Sequence, residues 1–139
     1  MINQNLIRRA DTCKNAIFEA LENDPALLSL IDKDDIYELA VPEGTKSSPP
    51  YVVLQEINYR PIKWADNRPI QDNATYQLDV YHNADPQPIM AAIGDVMERL
   101  DFAPTIPISD FLEKERLIRK GYRFEKNIIL GGLLWSTVQ

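Results

Sequence analysis

The sequence predicts a single α+β domain spanning residues 1–139, a mostly antiparallel or mixed sheet of about four to five strands with two main helices packed on one face. Three observations lead there. Residues 74–82 alternate strictly, with Ala74, Tyr76, Leu78, Val80 and His82 on one side and Thr75, Gln77, Asp79 and Tyr81 on the other. Two other segments repeat apolar residues at helical spacing, and a third β-rich run, YVVLQEINY, occupies residues 51–59. With 45% hydrophobic and 26% charged residues, the composition lies outside the range of disordered chains.

In the first segment Leu6, Ala10, Cys13, Ile17 and Leu21 share one helical face while Arg8, Arg9, Lys14 and Glu19 lie elsewhere. Asp24 and Pro25 end that helix, and as an N-cap followed by a first helical residue they start a short second one through Leu27, Leu28 and Ile31. A brief strand is expected at 36–41, then a surface loop at EGTKSSPP, whose Gly, Ser and Pro disfavour regular structure. Pro61 is expected to stop the next strand, so that residues 60–73 form a long projecting loop. After the alternating strand, Asp85 caps a helix with Pro86 at its first position, and Ile89, Ile93, Val96, Met97 and Leu100 form its apolar stripe. FAPTIPISD reads as an extended crossover, and FLEKERLIRKG fits a helical turn or a strand edge equally. From Gly121, Tyr122, Phe124, Ile128 and Leu130 predict a further strand; Gly131 and Gly132 then turn the chain into a last strand or arm at 131–139.

Little in the chain points to chemistry, and no catalytic, cofactor-binding or metal-binding residue is assigned. His82 is the sole histidine and Cys13 the sole cysteine, so neither an imidazole pair nor a thiolate metal set can form. Cys13 falls on the apolar face of the first helix and reads as a small buried hydrophobe. Asp32, Asp34 and Asp35 lack the central glycine and distal glutamate of a calcium loop. The glycines are wrongly placed for a phosphate cradle. A formal charge of −6 opposes non-specific binding to DNA. No segment approaches the apolar length that spans a bilayer, so neither cofactor nor membrane is expected, and the chain is expected to stay in a cytosol or assemble there.

The residues that stand out are those suited to protein contacts. Arg60, Lys63 and Arg68 gather around Trp64 in the long loop, and Arg119 and Arg123 belong to a second basic group before and into the late strand. Leu133, Leu134 and Trp135 form an apolar tail. Aromatic and arginine side chains are enriched at interface centres, and contiguous apolar surface marks association, so these nine are the candidate interface residues.

In their order along the chain, PYVVL at 50–54, YQLDVY at 76–81 running into the capped helix at 86–100, and the strand at 122–128 resemble the tail terminator or tail-to-head joining proteins of long-tailed bacteriophages. That resemblance implies a non-enzymatic virion protein of the tail and neck, assembled in the host bacterial cytoplasm. It implies a hexameric ring that terminates the tail tube, meets the tail tube protein and the head completion or connector protein, and lets DNA pass without specific binding. Two other classes remain open: a monomeric adaptor or inhibitor of one protein partner, and an enzyme that works with one histidine and one cysteine.

Overall fold

A computed structural model of the chain describes residues 5–44 and 48–130. Helix α1 (Leu6–Glu22) and a single helical turn α2 (Pro25–Leu28) lead through a 3-10 turn (Lys33–Asp35) into strand β1 (Ile36–Glu38). Strands β2 (Tyr51–Ala65) and β3 (Arg68–His82), helix α3 (Gln87–Arg99), and strands β4 (Ala103–Leu112) and β5 (Leu117–Ile129) complete it. The strands form one mixed sheet in the order β1-β2-β3-β5-β4, with β1 parallel to β2 and the other neighbours antiparallel.

The core lies between one face of this sheet and the helices. Ala74, Tyr76, Leu78 and Val80 of β3 are fully buried, as the alternation predicts, beside Val52 and Leu54 of β2 and Phe124 of β5. Ile17 and Leu21 of α1 and Ile89, Ile93, Val96 and Met97 of α3 close over them. At the end of β3, His82 Nδ1 accepts the Ala84 N–H at 3.0 Å, and Asp85 Oδ1 accepts from Gln87 at 3.0 Å, opening α3. Asp24 ties two elements together: Oδ2 caps α2 by accepting from Leu27 at 2.9 Å, while Oδ1 accepts from Arg99 Nη2, near the end of α3, at 2.6 Å.

Four sequence expectations are corrected. Residues 60–73 are not a long loop. β2 and β3 form one continuous hairpin closed by the two-residue turn Asp66-Asn67, with φ of 51° and 63° at those positions. Both central residues at positive φ give the turn whose twist matches paired strands. Pro61 is tolerated because β1 covers β2 only at Val52, Val53 and Leu54; beyond them β2 is an edge strand, and its register shifts on either side of Pro61. The segment expected as a crossover is strand β4, whose Pro104 and Pro107 flank a register shift at the outer edge of the sheet. The late strand begins at Leu117, ahead of Gly121, so the charged segment before it is the turn of a β4-β5 hairpin. The early strand is also shorter than expected, ending at Glu38.

Candidate functional site

The sheet has a second face, turned away from the helices. Directly opposed residues share a face, so the register from Gln77 and Asp79 places Gln55, Val53, Arg123 and Gly121 beside them, with Tyr51 and Arg119 flanking Tyr81. Arg60 stands opposite Asn73 on the same face, and Lys63 opposite Gln71.

The centre of this face is a buried polar network. Asp79, 3% exposed, accepts through Oδ2 from Gln77 Nε2 at 2.9 Å and from Arg119 Nη2 at 3.1 Å, and Arg123 Nε donates to Gln77 Oε1 at 3.1 Å. Burial is the strongest influence on Arg119 and opposes its charge, but the hydrogen bond and the charge of Asp79, joined by Tyr81 and Asp110, together outweigh it and hold the guanidinium above its ordinary pKa. Asp79 Oδ1 and Arg119 Nε are buried without a hydrogen-bond partner. Gly121 makes this arrangement possible: it stands opposite Asp79, and a Cβ there would collide with Asp79 Oδ1 and approach the Leu78 carbonyl to 2.9 Å. Two arginines are thereby held as a rigid, half-buried pair, unlike freely solvated charges.

Toward the β1 side the network gives way to tyrosines. Tyr51 stacks on Tyr81 with centroids 5.0 Å apart and planes at 14°, and Tyr37 meets Tyr51 edge-on at 6.1 Å. Burial pushes the Tyr51 and Tyr81 phenols above their ordinary value, so both stay neutral donors. Beyond the network, Trp64 lies at the far end of the β2-β3 hairpin, 56% exposed, with Arg60, Lys63 and Arg68 exposed around it. The base of that hairpin is anchored. Arg9 of α1 donates from Nε and Nη2 to the two oxygens of fully buried Asp72, at 2.7 and 3.1 Å.

Of the nine residues singled out by sequence, Arg119 and Arg123 converge with Asp79 and Gln77, and Arg60 shares their face. Lys63, Trp64 and Arg68 occupy the hairpin end. Leu133, Leu134 and Trp135 lie outside the described residues. Sequence reasoning missed Tyr37, Tyr51 and Tyr81. The Asp66-Asn67 turn is only part of the signal: counting back along both strands from it sets Tyr51 against His82, and the register shift between Glu56 and Asn58, which the sequence does not announce, moves Tyr51 onto Tyr81.

Burial pushes the Cys13 thiol above its ordinary pKa, the opposite of activation. Among the described residues no three His, Cys, Asp or Glu side chains are grouped to hold a metal ion, and no helix is long and apolar enough to cross a membrane. Asp32 and Asp35 act as reciprocal caps of the 3-10 turn.

A family model described as Tail completion protein gp17 matches residues 15–127. Among solved structures, a chain from the virion of a native gene transfer agent particle is similar in fold, with a TM-score of 0.58 and 17% identity over 81% of this chain and 91% of that one. No curated protein matches this sequence.

Proposed function

The chain belongs to the tail completion protein gp17 family, and from that premise we propose that it is a virion protein that closes the end of a phage tail tube as a hexameric ring. The ring joins the tail to the head connector, and it acts through protein contacts without chemistry. The observation that carries this reading is the helix-free sheet face, where tyrosines and pinned arginines lead to the exposed Trp64 hairpin. That composition is typical of interface centres.

A closed ring needs a heterologous interface, in which one patch meets a different patch on the next copy. The hairpin end and the tyrosine end are two such patches at opposite ends of β2 and β3. The net charge of −6 favours a channel through which DNA passes without being held. Assembly takes place in the host cytoplasm, and the ring meets the tail tube protein on one side and the head completion protein on the other.

Electron microscopy of tails made without this protein tests the reading: tails of uncontrolled length, or heads and tails that accumulate unjoined, are expected. A protein that stays monomeric by mass measurement, alone and with purified tail tubes, would sink the ring and favour a single-partner adaptor.

A further inference from the structure

The sheet is incomplete along the last four residues of β5, 126–129. β4 pairs with β5 only as far as Ala103 opposite Glu125, although β5 stays on β3 through Gln71 opposite Ile129. Leu130 continues that attachment by donating its N–H to the Ile70 carbonyl at 2.8 Å. Backbone groups alternate in direction along a strand, so the N–H and C=O of Ile129 and Asn127 face away from β3. Among the described residues no strand lies beside them. Both residues are exposed, Ile129 at 72%.

An apolar groove runs beside this open edge. Ile128 of β5 and Leu130 just after it, Cys13 and Ala16 of α1, and Leu100 and Phe102 following α3 line it around a cavity of about 340 Å³. Lys126 donates to the Leu100 carbonyl at 2.9 Å and lies over the Phe102 ring. A free strand edge beside an apolar groove has the two parts that strand addition uses: main-chain bonds for affinity and a pocket for alternate side chains.

Resting on the ring reading, we propose that this edge and groove receive the C-terminal segment of a neighbouring copy, with Leu133, Leu134 and Trp135 supplying the apolar side chains. The segment beyond Gly132, LLWSTVQ, has seven residues against an open edge at 126–130, so it is long enough to cover it. Its own edge is out of phase for the tightest return. A two-residue Gly131-Gly132 loop would set Leu133 against Leu130 as a hydrogen-bonded pair, and that needs the Leu130 N–H to face the open edge. It faces Ile70 instead. A segment given by each copy and an edge taken by the next is also a heterologous contact, the kind that closes a ring.

Two variants test the proposal. One is the chain ending at Leu130. The other is Ile129→Pro, which removes an N–H that faces away from β3 and so spares the β3 ladder; circular dichroism and the melting temperature check that both fold. Each alone is expected to lose ring formation on purified tail tubes by roughly tenfold or more, as for loss of a central contact. Mixed together they are expected to form one-to-one dimers by mass, since only one of their two possible contacts is intact. In full-length protein carrying a photo-crosslinker at Trp135, mixed in isotopically light and heavy forms on tail tubes, light-to-heavy links to the Cys13 and Ile128 peptides are expected. Links confined to one chain, or rings formed normally by the truncated chain, would overturn the proposal while leaving the ring reading intact. Absence of rings from the unmodified protein, with no mixed dimers, would overturn both.

Discussion

Asp79 and Gly121 show how one side chain dictates another across a sheet. With Asp79 Oδ1 lying over the position a Cβ would take, Gly121→Ala forces the network to shift. It is expected to cost about 1–3 kcal/mol, as overpacking does, measured as a lowered urea midpoint. If the collision with Asp79 is the cause, much of the loss returns in the double variant with Asp79→Ser. Asp72 is a second such residue. Replacing it with Ala leaves the guanidinium of Arg9, 10% exposed, without its buried carboxylate. Breaking a buried pair from one side is expected to destabilise by about 3 kcal/mol or more in a denaturant titration. Burial also pushes the Tyr59 phenol up, with Asp72 adding to the effect, and burial pushes up Tyr76 as well as Cys13. In each case the unfolded chain releases the proton first, so stability is complete below the ordinary value and declines as pH rises past it. The decline is expected to begin near pH 9, the ordinary thiol value, and to steepen past pH 10 where the phenols join. Equal urea midpoints at pH 8 and in that alkaline range would contradict it.

At the scale of elements, the β2-β3 hairpin is the feature whose form matters most. Its turn holds Asn67 at a φ of 63°, a conformation that Asn tolerates and β-branched residues resist. Asn67→Val is therefore expected to destabilise by about 1–2 kcal/mol, the cost of a left-handed backbone for such a residue, read from thermal melting. Trp64, exposed near that turn, is expected to behave differently. Trp64→Ala should leave the stability of the isolated chain within about 0.5 kcal/mol, as surface substitutions do. In the proposed ring it should reduce assembly on tail tubes by roughly tenfold or more, counted by electron microscopy, as loss of an aromatic anchor does. An unchanged assembly yield would remove the hairpin end from the interface.

For the whole molecule, a one-layer sheet with helices on one side leaves the other face without cover among the described residues. In this chain that face carries paired tyrosines and tethered arginines where a solvated sheet would carry scattered charges. In the proposed ring, neighbouring copies would cover this face.

Residue order is enough to specify the two main helices, the central strand and the side of the sheet that is buried. Periodicity reports directly which face of an element is apolar, as at Ala74, Tyr76, Leu78 and Val80. Composition also excluded an imidazole pair and a thiolate metal set, because one histidine and one cysteine cannot form either. The resemblance to tail terminators grew from the order of those elements. Other features follow only from contacts between distant parts of the chain. Pro61, Pro104 and Pro107 argue locally against strands, yet they fit once β2 and β4 are seen to be sheet edges, a property of neighbours far away in sequence. The same holds for Asp79, Arg119 and Gly121 and for Tyr51 and Tyr81, since only register brings residues so far apart onto one face.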